Sequence, residues 1–104
     1  MIAPLEITPE QRKTLLALLH EFLPGVIVWA YGSRVKGTAR PYSDLDLVAF
    51  ASPEQQRQVS DLKEAMEESN LPFLVDLHVW DEVPERFMEI IQRDYVVVQG
   101  GEDE

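Results

Sequence analysis

Near the start of the chain, hydrophobic residues recur at the three-to-four-residue spacing of an amphipathic helix. This apolar stripe consists of Leu15, Leu16, Leu18, Leu19, Phe22 and Leu23. The preceding segment Thr8-Pro9-Glu10-Gln11 supplies a capping hydroxyl, a first-turn proline and a reciprocal glutamine. Ser52-Pro53-Glu54-Gln55 repeats that start ahead of a second stripe, Val59, Leu62 and Met66. The pattern therefore predicts two helices that each bury one side.

Three other segments have the composition or the two-residue period of β-strands. Residues 26–31 are apolar, β-branched and aromatic, and they end at Gly32. Residues 45–50 form a second apolar run, interrupted by one acidic residue. Residues 74–80 alternate between polar and apolar side chains. We expect three strands, separated by the second helix and by a loop rich in glycine, proline and hydroxyl residues.

The remaining pattern completes the predicted fold. A third helix is expected to begin near Pro84 and to bury Phe87, Ile90 and Ile91, and residues 95–98 are expected to form a short strand. The order α-β-β-α-β-α predicts an α/β (α+β) fold. Its architecture is a small mixed β-sheet with helices packed on one face, in a single domain over residues 1–104.

A turn and a pair of carboxylates carry the candidate chemistry. Gly32-Ser33-Arg34 follows the first strand directly, and a glycine there lets the backbone approach a ligand while Ser33 adds a hydroxyl donor. If residues 34–36 form a helical turn, its free N–H groups face any bound anion. Phosphate is therefore the ligand expected at this turn.

A gap of ten residues separates Ser33 from Asp44, and Asp46 follows two positions later, at the start of the second strand. Side chains two residues apart on a strand project from the same face, roughly 6.5–7 Å from one another. Asp76, in the third strand, can add a third carboxylate if that strand is an antiparallel neighbour of the second. Oxygen ligands of this kind suit Mg²⁺ or Mn²⁺ better than zinc.

In these residues the chain resembles the DNA-polymerase-β-like nucleotidyltransferase superfamily, and in particular its minimal nucleotidyltransferases. The matching features are the Gly32-Ser33 turn, the paired Asp44 and Asp46, and Asp76 as the third acidic position. The likeness extends from about residue 26 to residue 80, with the same order of elements. The resemblance implies the nucleotidyltransferase fold, together with a small single-domain enzyme of the kind often encoded beside a HEPN-domain partner.

The resemblance also implies roles for these residues. Asp44, Asp46 and Asp76 would be both catalytic and metal-binding, holding two Mg²⁺ ions, or Mn²⁺, that assist attack of a hydroxyl on the α-phosphorus of ATP. Asp76 would bind the ion nearest the acceptor and take the proton of its hydroxyl. Gly32, Ser33 and Arg34 would bind the phosphates of the nucleoside triphosphate. Lys36 and Arg40 are equally compatible with solvated surface.

Each motif taken singly has a purely structural explanation. Gly32-Ser33 alone is more typical of a strand-ending turn, and Asp44 alone is more typical of a turn or cap. Asp46 and Asp76 must face either solvent or a cation, because each interrupts an apolar strand. His78 is expected to be polar surface, and Trp29 and Trp80 are expected to pack against other side chains. The conjunction of the four motifs favours a site.

Composition narrows the partners. The chain has 19 acidic and 9 basic residues, for a net charge of −10, which disfavours direct nucleic-acid binding because phosphate affinity rests on Lys and Arg. Residues from about 100 to 104 are expected to form a solvated acidic tail. The chain contains no cysteine, no apolar run of the ~18 residues typical of a membrane span, and no secretory pattern. A cytoplasmic protein that does not bind membranes is expected.

The sequence thus favours transfer of AMP from ATP onto a hydroxyl of a partner protein. The resemblance suggests a HEPN-type RNase toxin as that partner, so that the chain would act as its antitoxin. Neutralisation by binding alone, without catalysis, is the main alternative. Transfer to an aminoglycoside-type small molecule is disfavoured because no second domain is present to hold the drug. The base, the acceptor, the number of nucleotides transferred, and homo- or hetero-oligomerisation remain open.

Overall fold

The computed structural model describes residues 5–100, so the predicted acidic tail lies almost wholly outside the described residues. Four strands and four α-helices occur in this part of the chain. In chain order they are α1 (Pro9–Phe22), β1 (Val28–Tyr31), α2 (Ser33–Lys36), β2 (Leu45–Ala49), α3 (Gln56–Glu67), β3 (Val75–Val79), α4 (Glu85–Arg93) and β4 (Tyr95–Gln99). The predicted order of elements is confirmed, with the very short α2 as an addition.

Both predicted helix starts have the expected capping. Gln11 N donates to Thr8 Oγ1 at 3.1 Å, and Thr8 N donates to Gln11 Oε1 at 2.9 Å. Ser52 N likewise donates to Gln55 Oε1 at 2.9 Å, although here a single 3₁₀ turn precedes α3. These bonds satisfy backbone groups that the first helical turn leaves without partners, so local sequence defines where both helices begin.

The strands form one mixed sheet in the order β3-β2-β1-β4. Strand β1 is antiparallel to both β2 and β4, whereas β2 and β3 are parallel. The expectation of an antiparallel strand carrying Asp76 is therefore wrong, because α3 forms a crossover between β2 and β3, and such a crossover joins parallel strands. Helices α1 and α3 contact each other and cover one face of the sheet, where the main core lies. The largest fully buried side chains of this core are Leu15, Leu19, Leu23, Leu45, Leu47, Leu62 and Val28. The predicted α+β class and mixed sheet are confirmed.

Helix α4 is the exception to the one-face arrangement. Ile91 is only 3% exposed, but Phe87 and Ile90, both predicted to be buried, are each 47% exposed. Ile91 and Phe87 line a pocket of about 240 Å³ together with Tyr31 and His78, which project from the sheet face opposite the main core. Helix α4 therefore lies on the side of the sheet opposite the main core.

Strand order explains this placement. The connections from β2 to β3 and from β3 to β4 each join parallel strands, but they run across the sheet in opposite directions. Connections of this type are right-handed in nearly all sheets. Right-handedness therefore places α3 and α4 on opposite faces. No helix within residues 5–100 is both long enough and apolar enough to cross a membrane.

Candidate active site at the Gly32 turn

One row of side chains crosses the sheet on the face opposite the main core. Asp46 of β2 is in register with Tyr31 of β1 on one side and with Asp76 of β3 on the other. Neighbouring strands lie about 4.8 Å apart, so the two carboxylates are close neighbours on this face. The structure thus brings Asp46 and Asp76 together, and both point away from the hydrophobic core.

The Gly32 turn closes directly over this row. Gly32 has φ 85° and ψ −156°, a conformation that L-amino acids with a side chain rarely adopt. A Cβ atom at this position would overlap Asp46 Oδ2 and come within 3.3 Å of Asp46 Cγ. Ser33 opens α2 immediately afterwards, and Val35 N and Lys36 N both donate to Gly32 O, at 3.0 and 3.2 Å. The turn and the Asp46 carboxylate therefore occupy one small region.

The electrostatics of this region are strongly negative. Partial burial raises the pKa of the Asp46 carboxyl, the charges of Asp76 and Asp44 raise it further, and His78 partly opposes them. Burial, followed by the charges of Asp46 and Asp76, raises the pKa of the Tyr31 phenol to about 12. Asp44 and Asp76 are thus near enough to disfavour ionisation of Asp46, and a bound cation would relieve that repulsion.

Asp44 is exposed and directly precedes β2, so it stands at the edge of the row and not within it. Among the side chains of residues 5–100, no three His, Cys, Asp or Glu groups form a cluster already arranged to hold a metal ion. The donor set consists of carboxylate oxygens that repel one another, and such a set fits a hard divalent cation such as Mg²⁺ or Mn²⁺.

His78 has a closer relation to the carboxylates than its sequence pattern predicts. His78 Nε2 lies 3.2 Å from Asp76 Oδ2, and both side chains are about half exposed. The two residues are two apart on β3 and therefore share a face, which is the one sequence signal that links them. His78 is a site neighbour that the sequence interpretation assigns to plain surface.

Arg34 requires a correction. The sequence predicts that it binds phosphate, but its side chain is only 5% exposed and its guanidinium group donates to backbone carbonyls. It also lies over the ring of the buried Phe73, with Cζ 4.2 Å from the ring centroid. Because Nε, Nη1 and Nη2 all donate to backbone carbonyls, the guanidinium group is directed into the protein and not toward the carboxylate row.

The two tryptophans pack as expected. Trp29 stacks on Tyr95 with ring centroids 3.9 Å apart, and Phe50 contacts both Trp29 and Trp80 edge-on or at a tilt. These rings lie beside the carboxylate row on the same face. They form a small apolar cluster on the side of the sheet that α4 approaches, and their mutual packing accounts for the partial burial of Trp29, Phe50 and Trp80 without a ligand.

Comparison with known proteins finds similar sequences and similar folds. Residues 14–103 match the family of polymerase beta nucleotidyltransferase domains. The chain is 45% identical, over 98 residues, to the probable protein adenylyltransferase MntA of Haemophilus influenzae. That match covers 93% of this chain and 86% of the relative.

Several solved structures have the same fold as this chain. A structure assigned as a minimal nucleotidyltransferase is 28% identical, with a TM-score of 0.66 over 84% of this chain and 88% of that chain. A toxin–antitoxin structure with AMP-PNP has a TM-score of 0.67 and 16% identity, over 88% of this chain and 75% of that chain.

A third structure contains a tri-AMPylated HEPN toxin of Shewanella oneidensis in complex with its MNT antitoxin. Its TM-score is 0.56 and its identity 15%, over 90% of this chain and 73% of that chain. At such low identity, this match and the AMP-PNP match show the shared fold alone. Family membership is shown by the match over residues 14–103 and by the 45% identity to the Haemophilus influenzae relative. This chain belongs to the polymerase beta nucleotidyltransferase family.

Proposed function

We propose that this protein is a metal-dependent nucleotidyltransferase that transfers AMP from ATP onto a hydroxyl group of a partner protein. The partner is a HEPN-type RNase toxin, which the transfer inactivates. The observation that carries the proposal is the register of Asp46 with Asp76 directly beneath the Gly32 turn. In that arrangement a turn with the chemistry of a phosphate ligand lies beside a pair of carboxylates, which supports the proposal.

The turn binds the terminal phosphates. Ser33 offers a hydroxyl donor, and the first N–H groups of α2 have no partner inside the helix. Gly32 lets this backbone stand against Asp46 without a side chain in between. The pyrophosphate leaving group would thereby be held beside the carboxylates.

The carboxylates provide the reacting end. Asp44, Asp46 and Asp76 would hold two Mg²⁺ or Mn²⁺ ions, which would neutralise phosphate charge and acidify the acceptor hydroxyl. Asp76 accepts the hydroxyl proton at a carboxylate oxygen. The acceptor oxygen forms its bond to the α-phosphorus while the bond from that phosphorus to pyrophosphate breaks. His78 Nε2, next to Asp76 Oδ2, orients the carboxylate for this step.

Two observations support a protein acceptor. The matched relative from Haemophilus influenzae is named a probable protein adenylyltransferase, and structural neighbours are toxin–antitoxin complexes. The net charge of −10 suits a basic partner such as an RNA-binding toxin and disfavours a free nucleic acid.

Mass spectrometry of the HEPN protein after incubation with this chain, ATP and Mg²⁺ tests the proposal. The expected result is a mass increase by one or more AMP units that is lost with Asp46→Asn or Asp76→Asn. Asp61→Asn, on the exposed side of α3, is the matched control and should retain the transfer. An unmodified partner with the wild-type chain would contradict the proposal.

One observation favours the alternative that the chain neutralises its partner by binding alone. Asp76 already has a side-chain partner in His78, and a carboxylate with a purely structural role would also have such a partner. The double variant Asp44→Asn/Asp46→Asn separates the two functions in cells that express the toxin. Full protection by this variant would establish the binding function, whereas loss of protection with the complex still formed would establish catalysis.

A further inference from the structure

Arg34 connects more of the chain than any role as a phosphate ligand would require. Its Nη1 donates to Glu6 O at 2.7 Å, and Glu6 N donates back to Arg34 O at 2.8 Å. Its Nε donates to Ser43 O at 3.0 Å, and Nη2 donates to Pro41 O at 3.0 Å and to Arg40 O at 3.4 Å. One buried guanidinium group thus joins α2 to the segment before α1 and to the loop before β2.

The loop that Arg34 grips ends at Asp44. Ser43 N donates to Arg40 O at 3.0 Å, and Arg40 N donates to Ser43 Oγ at 2.8 Å, so residues 40–43 form a closed turn. All three carbonyls of this turn that Arg34 contacts point at its guanidinium group. The position of Asp44, the next residue, is therefore fixed relative to α2 through a single side chain.

The same guanidinium group also reaches the approach to β3. Arg34 Cζ lies 4.2 Å from the centroid of the Phe73 ring, and Phe73 is buried. The next residue, Leu74, accepts a hydrogen bond from Leu45 N at 2.8 Å through its carbonyl oxygen. Arg34 thus contacts the chain shortly before Asp76 as well as shortly before Asp44.

We propose that Arg34 is a positioning residue for nucleotidyl transfer: its guanidinium group fixes the turn of residues 40–43 and thereby sets where Asp44 stands relative to Ser33. The inference rests on the proposed function, in which Asp44 holds a cation and Ser33 holds phosphate. A lysine cannot replace Arg34, because an ammonium group lacks the planar array of five donors that reaches several carbonyls and stacks on a ring.

Arg34→Lys tests the proposal, with Arg57→Lys on the exposed side of α3 as the matched control. Amide hydrogen exchange should become about tenfold faster over residues 40–46 in Arg34→Lys, while the amides of α1 and α3 keep their rates. Mn²⁺ binding, followed by electron paramagnetic resonance, should weaken in the same variant. Unchanged exchange over residues 40–46 or unchanged Mn²⁺ affinity would overturn the proposal.

Kinetics separate positioning from phosphate binding. A misplaced Asp44 should lower kcat by on the order of 100-fold while KM for ATP stays within about twofold, because a displacement of about 1 Å is enough for such a loss. A phosphate ligand would instead raise KM for ATP. That result, or an unchanged kcat in the folded variant, would overturn the proposal.

A second variant covers the case in which Arg34→Lys does not fold. Phe73→Leu removes the ring beneath the guanidinium group but keeps an apolar side chain and all the hydrogen bonds. It should show the same pattern at smaller amplitude, and a wild-type pattern would overturn the proposal. If the wild-type chain modifies no partner, the proposed function fails, and the exchange and Mn²⁺ measurements still decide whether Arg34 positions Asp44.

Discussion

Gly32 and Asp46 stand in direct contact across the β1–β2 pair, with no room between them for a methyl group. The turn predicted to bind phosphate and the central carboxylate are therefore one structural unit. A side chain at residue 32 would therefore have to displace the Asp46 carboxylate. This contact makes residue 32 the most restrictive position in the candidate site.

The first prediction concerns Gly32→Ala. The φ of 85° with ψ −156° is strained for alanine, and strain of this kind costs about 1–3 kcal/mol. Because the new Cβ would also displace the Asp46 carboxylate, transfer activity should fall by on the order of 100-fold. Urea denaturation and the AMP-transfer assay measure the two effects.

Gly37→Ala is the matched control for that variant. Gly37 also has a positive φ, 80°, but a Cβ there would meet only Glu6 Oε2 at 3.7 Å, an ordinary contact. Its free energy of unfolding should fall by about 1 kcal/mol with transfer activity retained. Equal activities of Gly32→Ala and Gly37→Ala would show that the contact with Asp46 does not matter for transfer.

The second prediction concerns the pH dependence of stability. The folded state raises the pKa of Asp46, so the folded chain binds its proton more tightly than the unfolded chain does. Stability is therefore lost as pH rises from the ordinary carboxyl range, about 3.9, through the raised pKa. Asp46→Asn should be more stable than wild type at neutral pH and lose that advantage in acid.

Urea denaturation of both proteins at a series of pH values, without divalent cations, checks this expectation. Asp61→Asn, exposed on α3, should follow the wild-type curve throughout. A constant difference between Asp46→Asn and wild type at every pH would show that the carboxyl has no raised pKa in the folded chain.

The third prediction concerns divalent cations. Because the cations would bind the folded chain alone, Mg²⁺ at 100 times its Kd should stabilise the wild-type protein by about 2.7 kcal/mol. The Asp46→Asn variant should gain little, since it lacks the central ligand. Thermal unfolding with and without Mg²⁺ measures the shift in Tm, and EDTA should abolish AMP transfer until Mg²⁺ or Mn²⁺ is restored. Equal shifts in both proteins would place the cation elsewhere.

The fourth prediction concerns His78. Its partner Asp76 and His78 itself are about half exposed, so His78→Phe should change the free energy of unfolding by no more than about 0.5 kcal/mol. The kcat for AMP transfer should nevertheless fall by about tenfold, because Asp76 loses the group that orients it. His78→Gln keeps a side-chain N–H donor and should recover part of the rate. An unchanged kcat in His78→Phe would show that His78 is a surface residue without a role in AMP transfer.

Local sequence predicted the parts of the fold that local forces determine. Thr8 caps α1, Gln55 accepts from Ser52 N at the turn before α3, and the two-residue period puts Asp46 and Asp76 on one face of their strands. The face on which α4 lies was not predictable in this way, because it follows from strand order and from the hand of a connection. Phe87 was therefore predicted to be buried, although the placement of α4 leaves it exposed.

Arg34 shows the other limit of the sequence. A basic residue after Gly32-Ser33 is typical of a phosphate ligand, but the partners that decide its role are backbone carbonyls of Glu6 and of residues 40–43. Every residue type has a backbone carbonyl group, so no sequence pattern predicts which carbonyls will accept hydrogen bonds from Arg34. The roles of Asp44, Asp46 and Asp76 in binding and catalysis stay predictions.

The carbonyl partners of Arg34 have a consequence for how this protein tolerates mutation. Every hydrogen-bond acceptor that Arg34 uses belongs to the main chain, so substitutions of the side chains at Glu6 or Arg40 leave those acceptors in place. A saturation scan should therefore find residue 34 intolerant while residues 6 and 40 accept many replacements. Among residues 5–100, the side-chain hydrogen bonds that hold the turn of residues 40–43 come from two codons alone, those of Arg34 and Ser43.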